Sequence, residues 1–139
     1  MTLEKTLCII KPDAIESRKQ GAILQMLLDT GFKVLAMQQV QLTQRAAEGF
    51  YAVHRERPFF AELVAFMTRG PVVVLALSRE NAVQQLRTTI GATDPAKATD
   101  GTVRKLFGKN VGENAVHGSD SVENGALECG YFFPGMNLV

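Results

Sequence analysis

Histidine is scarce in this chain: there are two in 139 residues, His54 and His117. His117 stands in NAVHGSDS, between a short apolar pair and a cluster of small polar residues. A neutral imidazole is a good nucleophile toward phosphorus, and an unperturbed ring, with a pKa of ~6.5, is mostly neutral at pH 7. Only one ring nitrogen can attack. The other must give its proton to an acceptor, which fixes tautomer and orientation. A backbone carbonyl or the Glu128 carboxylate could accept it, and the sequence leaves both open.

Other residues suit an anionic substrate. Lys11 follows a short apolar run, Arg87 lies late in ENAVQQLR, and Arg104 sits in GTVRKLF. Thr93 and Asn114 add neutral hydrogen-bonding groups. Cations with a hydroxyl can bind a polyphosphate without a glycine-rich loop. Taken singly, each cation reads as an ordinary surface charge, and spacing alone does not bring them together. Competing chemistries leave no pattern. GxxxxGK[ST], GxGxxG and GxSxG are absent, and the carboxylates are scattered. With no CxxC and no HExxH, metal ligation by side chains is not expected.

Positioning such groups takes a rigid frame, and the apolar pattern outlines one. Thr6 to Ile10 reads as a strand stopped by Lys-Pro. Helical spacing runs from Gly21 to Leu28, closed by Gly31. Phe32 to Leu42 alternates like a strand, and Thr43 is a good N-cap for a helix to about His54. Pro58 suits the first turn of another helix, with Phe59, Phe60, Leu63, Val64 and Met67 as its apolar stripe. Of the adjacent pair Phe59 and Phe60, one can be buried while the other is exposed. Val72 to Leu77 is an unbroken apolar run, as a buried central strand would be. A helix follows from about Glu80 to Ile90, capped by Gly91. Gly91 to Gly101 reads as a long ordered loop of the kind that often carries function. Ala115 to His117 suggests a brief last strand, and Asp120 or Ser121 caps a final helix to about Phe132. The tail PGMNLV has no clear pattern. The order β-α-β-α-α-β-α-β-α predicts an α+β, ferredoxin-like split βαβ sandwich: a four-stranded antiparallel sheet covered by helices.

Bulk properties narrow the class. The length suits a single domain, residues 1–139, with a real core. Apolar residues at 46% argue against disorder, and a net charge of +1 without charged tails gives no reason to expect attraction to nucleic acid or membranes. The opening MTLEKTLCIIKPD lacks the apolar run of a secretory signal, and no stretch approaches the ~20 apolar residues of a membrane span. Cys8 and Cys129 lie far apart in apolar contexts, as reduced core residues of a cytoplasmic protein would.

The stretches TLCIIKPDAI, FYAVHRERPFFAELVAFMTRGPVV, ENAVQQLRTTIGATDPAKATDGTVR and NAVHGSDSVENGALECGYFF occur in the order, and nearly the spacing, found in nucleoside diphosphate kinases. From about Thr6 to Phe133 the chain resembles that family, and NAVHGSDS is similar to the signature around its active histidine. The resemblance implies exchange of a terminal phosphate between nucleoside tri- and diphosphates by a ping-pong route. His117 would be the nucleophile, forming a pros-phosphohistidine. Lys11, Tyr51, Arg87, Thr93, Arg104 and Asn114 would surround the phosphates and sugar. Phe59 would stack on the base with Val111 on its other face, and Ser119 and Glu128 would support the histidine. Stacking with few base-edge hydrogen bonds implies broad base and sugar tolerance. Magnesium would ride on the nucleotide phosphates, with no protein side chain as ligand. Gly118 would leave room for the incoming phosphate. The family also implies a homo-oligomer, tetramer or hexamer. The chain departs from the usual pattern at SRKQG, ALSREN, Asp100 and Cys129-Gly130. Read from its residues alone, Tyr51 could be simple core, Glu128 a solvated helix residue and His54 a bland histidine near a helix end. Two other functions stay open at this level: a nucleotide-binding or interaction module, and a phosphohistidine relay fed by a protein donor.

Overall fold

Alternation along two apolar strands builds the frame. The computed structural model describes residues 3–135. β1 (Leu3–Ile10) and β3 (Val72–Glu80) pair antiparallel at its centre. Successive side chains point to opposite faces of a sheet. Accordingly Cys8, Ile10, Val73, Leu75 and Leu77 enter one core, and Leu7, Ile9, Val72, Val74 and Ala76 enter the other. β2 (Lys33–Val40) flanks β3 and the short β4 (Val116–Gly118) flanks β1, giving the order β2-β3-β1-β4 with every pairing antiparallel. This is the expected four-stranded ferredoxin-like α+β arrangement.

Helices cover both faces. The first core takes Ala14 from α1 (Pro12–Glu16), Ile23 and Leu27 from α2 (Gln20–Asp29), Leu86 and Ile90 from α5 (Ala82–Ile90), and Val103 from α6 (Val103–Phe107). The second takes Ala47 from α3 (Gln44–Phe50), Val64 and Met67 from α4 (Phe60–Thr68), and Cys129 from α7 (Val122–Phe132). Cys8 and Cys129 are therefore buried free thiols on opposite faces of the sheet. Among the described residues no helix is long and apolar enough to cross a membrane.

Several boundaries differ from the sequence reading. β1 and β3 extend to Leu3 and Glu80, because ladder pairing continues beyond the apolar stretch and sets Glu4 opposite Arg79. Glu80 thus closes a strand, and the helix after it starts at Ala82. β2 is shorter than Phe32 to Leu42, and β4 lies one residue later than Ala115 to His117. The helix after Thr43 ends at Phe50, followed by a 3₁₀ turn at Ala52–His54. Pro58 falls outside α4; Phe59 precedes its first residue and is 45% exposed, while Phe60 packs against the core. Two short helices, α1 and α6, were not anticipated. The Pro12 that ends the strand also occupies the first position of α1. Five residues of α6, capped by Thr102 Oγ1 on the Lys105 N–H at 3.3 Å, are too few to show periodicity. Thr43 and Ser121 cap α3 and α7 with side-chain bonds to Ala46 and Asn124. Within PGMNLV, residues 136–139 lie outside the described residues.

Candidate active site

β4 lies beside β1, so the chain before β4 meets the chain leaving β1. Lys11 Nζ donates to Asn114 Oδ1 at 2.9 Å, although the two are 103 positions apart. Asn114 in turn donates to the Thr93 carbonyl at 3.0 Å, tying in the loop after α5. Arg104, from α6, reaches the same place and donates to the carbonyls of Gly91 (3.0 Å) and Val116 (2.8 Å). Arg87 stands in the last turn of α5, where a cation also complements the helix dipole.

These groups wall a cleft of about 540 Å³, within the usual size of a small-molecule site. Its lining includes Lys11, Arg87, Thr93, Arg104, Val111, Asn114 and His117. Three cations with hydroxyl and amide groups, and no carboxylate on the wall, suit a phosphate chain. Burial, together with the Arg104 guanidinium and against Asp13, brings the Lys11 ammonium down to about 8. Burial likewise lowers Arg104.

His117 pairs with Ile9 in the β1–β4 ladder and so faces the α7 side of the sheet. Its Nε2 lies 2.9 Å from Glu128 Oε1. An ionised carboxylate can only accept, so Nε2 carries the ring proton and Nδ1 is the nitrogen left with a lone pair. The acceptor left open by the sequence is thus Glu128. The same Glu128 oxygen accepts from Ser119 Oγ at 2.7 Å, and Ser119 Oγ accepts from the Leu7 N–H at 3.0 Å. Ser119 is fully buried and Glu128 partly so; both stand behind the ring and not on the cleft wall.

Tyr51 and Phe59 are likewise absent from the cleft lining. Tyr51 is buried, and burial, with the Glu128 carboxylate adding to it, raises its phenol. Its ring meets Phe50 edge-on at 4.9 Å, and Phe50 meets His117 edge-on at 5.4 Å. Phe59 lies 5.4 Å from the ring of His54, which in turn stacks toward Tyr51 at 6.5 Å. The bland histidine is thus part of an aromatic row.

Gly118 has a packing role as well. Gly118 is paired with Cys8 and faces the opposite side of the sheet from His117. A Cβ there would meet Ile90 Cδ1 at 2.9 Å and Leu86 Cδ2 at 3.2 Å. The glycine makes room for α5, and it also stands on the cleft wall beside His117.

Phe50 and Asp13 escaped the sequence reading. Phe50 looks like half of an apolar pair with Tyr51, and nothing local marks it as the residue against the histidine. Asp13 follows Lys11 in KPD, and that proximity was its only signal. Its Oδ2 accepts the Ala115 N–H at 3.1 Å. Ala115 has φ +76°, and the Val116 N–H bonds the Asn114 carbonyl across it at 2.9 Å. This is the rare left-handed γ-turn, and such conformations cost roughly 1–3 kcal/mol for a residue other than glycine. It lies between Asn114 and His117. A second tether, the Arg69 guanidinium, bonds Glu16 at 2.7 Å and Glu113 at 3.2 Å, holding the loop that carries Val111.

Comparison with known proteins agrees with this geometry. The family model for nucleoside diphosphate kinases matches residues 4–138. A nucleoside diphosphate kinase of Sorangium cellulosum is 60% identical, covering 99% of this chain and 96% of that one. One from Chlorobium limicola is 54% identical over 99% of this chain and 98% of its own. Among solved structures, the Aquifex aeolicus nucleoside diphosphate kinase superposes with a TM-score of 0.96 at 42% identity, covering 99% and 100% of the two chains. The Halobacterium salinarum enzyme, in complex with CDP, gives 0.94 at 34% identity, covering 99% and 92%.

Proposed function

The chain belongs to the nucleoside diphosphate kinase family, and from that premise we propose that it exchanges phosphate by a ping-pong route through a pros-phosphohistidine on His117. The observation that carries this reading is the 2.9 Å contact of His117 Nε2 with Glu128, beside a cleft lined by Lys11, Arg87 and Arg104. In the first half-reaction the Nδ1 lone pair attacks the γ-phosphorus of a nucleoside triphosphate. The bond from that phosphorus to the bridging oxygen breaks, and the diphosphate leaves with the electron pair. In the second, a β-phosphate oxygen of another diphosphate attacks the same phosphorus, and the N–P bond breaks. No net proton moves. The Nε2 proton stays on the ring, and the Glu128 carboxylate offsets the positive charge that the ring gains in the intermediate.

Phosphoryl transfer leaves the protein mainly positioning and charge stabilisation to do. Lys11, Arg87 and Arg104 supply charge, Thr93 and Asn114 hold neutral oxygens, and Ser119 steadies Glu128. Tyr51 backs the histidine through Phe50. Magnesium would come with the substrate, held by its phosphates and not by side chains of this chain, and would offset phosphate charge there. The described residues hold no group of three or more His, Cys, Asp or Glu placed to bind a metal, and the cleft wall offers cations and hydroxyls instead. Phe59 and Val111, 45% and 56% exposed, are read as the base platform, free to receive any base because every base has a π-face. The CDP bound by the Halobacterium relative is consistent with a nucleotide in this cleft. Residues 1–139 act as one domain, within a cytoplasmic tetramer or hexamer that needs neither nucleic acid nor membrane.

Incubation with γ-labelled ATP and magnesium tests the reading. Acid-labile label on the protein that moves to added GDP is expected, with none on His117→Ala. A folded protein that binds nucleotide yet takes no label would overturn the phosphohistidine route.

A further inference from the structure

The γ-turn at Ala115 sits between Asn114, which bonds Lys11, and His117, which carries the proposed chemistry. An alanine does not choose φ +76° unaided, because its Cβ is crowded there. Two contacts hold it from outside the turn. The Lys11 N–H donates to the Ala115 carbonyl at 2.8 Å, and the Asp13 carboxylate accepts the Ala115 N–H. The first is a backbone bond that any residue at position 11 could make. The second needs an acceptor of the length and direction of the Asp13 side chain.

Asp13 is an odd residue to bury. It is 1% exposed in the first turn of α1, and its Oδ1 has no hydrogen-bond partner among the described residues. A carboxylate held out of water with one oxygen unpaired costs stability, so the contact made by the other oxygen is what the chain obtains from it. Burial raises its pKa, while the Ala115 N–H and the Lys11 ammonium oppose that shift.

We propose that Asp13 is a positioning residue, whose carboxylate holds the left-handed backbone of Ala115 and so keeps Asn114 and His117 in register with each other. It does not touch the reacting atoms. Without it Ala115 relaxes to negative φ, the turn opens, and the Asn114 amide and the His117 ring lose their common geometry. This inference rests on His117 as the phosphate carrier. The unsubstituted chain, labelled in parallel, separates failure of that reading from failure of this one.

The experiment compares Asp13→Ala, Asp13→Asn and the double variant Asp13→Ala with Ala115→Gly, reading phosphoenzyme formation, kcat, KM and melting temperature. Asp13→Ala is expected to lower kcat by about 10²-fold, the size of effect a small misplacement near the chemistry produces. KM for ATP should change much less, since Arg87 and Arg104 are untouched. Asn keeps an acceptor oxygen, so Asp13→Asn, assayed well below pH 8 where Lys11 keeps its proton without the Asp13 charge, should stay close to the unsubstituted rate. Glycine reaches positive φ without help, so the double variant should recover most of the rate lost in Asp13→Ala. A stability role alone would lower the melting temperature with no such recovery. The proposal is overturned by full activity in Asp13→Ala, by a double variant as slow as Asp13→Ala, or by a folded Asp13→Asn that loses as much rate as Ala. If Asp13→Ala does not fold, the double variant decides: near-normal phosphoenzyme formation supports the proposal, and a folded but slow double variant overturns it.

Discussion

Glu128 Oε1 lies 2.9 Å from His117 Nε2, across the gap between α7 and β4. That contact selects which imidazole nitrogen is free. Replacing Glu128 with Ala should leave the ring free to adopt either tautomer and rotate, lowering the rate of phosphoenzyme formation by about 10²-fold, as small losses of orientation do. Glu128→Gln keeps an oxygen that can accept and should cost less. Rapid-quench labelling with γ-labelled ATP measures both. Equal losses in the two variants would assign the role to charge and not to orientation.

Ser119 belongs to the same chain of bonds but to a different balance. Its hydroxyl is the acceptor for the Leu7 N–H inside the sheet as well as the donor to Glu128. Ser119→Ala leaves a buried N–H unpaired, at about 1–3 kcal/mol. Urea denaturation should register a loss of that size. The rate should fall less than in Glu128→Ala, because the His117 contact survives.

Lys11 sets a pH limit. Burial first, and Arg104 second, bring its ammonium to about 8, so the free enzyme loses this charge as pH rises through that value. The ratio kcat/KM reports groups of the free enzyme and should decline above pH 8. Bound phosphate favours the charged form, so kcat should hold to higher pH. Lys11→Arg should remove the decline, since guanidinium keeps its proton. The stability effect has the opposite sign. Below pH 8 folded and unfolded chains both hold this proton; between about 8 and the ordinary lysine value of 10.5 only the unfolded chain does, so this group's contribution to stability rises with pH in that window. A kcat/KM profile flat to pH 10 would contradict the assignment.

Two glycines let helices approach the sheet, and they should differ in cost. A Cβ at Gly118 meets the ends of the Ile90 and Leu86 side chains, which can shift. A Cβ at Gly125 would run into the Lys5 carbonyl oxygen, a backbone atom that cannot move without moving β1. Gly118→Ala should cost about 1–3 kcal/mol, typical of overpacking, and Gly125→Ala more. Gly125→Ala should also cost activity, because α7 carries Glu128. Thermal melts and labelling rates on the same samples check both statements.

Much of the site was legible in one dimension. Strong local signals, such as the apolar alternation of β1 and β3 and the caps at Thr43 and Ser121, are short-range and survive in the sequence. So does NAVHGSDS, a stretch through which the chain resembles the nucleoside diphosphate kinase family. Boundaries set by pairing were not legible: Glu4 and Arg79 are strand residues because each has a partner across the ladder, which no local pattern encodes. Five-residue helices such as α1 and α6 likewise fall below the length at which periodicity can be read.

By itself the sequence determined the residue types, the alternation that makes a two-sided sheet, and the NAVHGSDS context that sets His117 apart from His54. Tertiary structure alone decided which of them meet. The β1–β4 pairing brings Lys11 to Asn114 and Asp13 to Ala115 across about a hundred positions, and α7 brings Glu128 to His117. The pleat then settled what each neighbour does: His117 faces α7 and the adjacent Gly118 faces α5, because consecutive residues of a strand point to opposite sides.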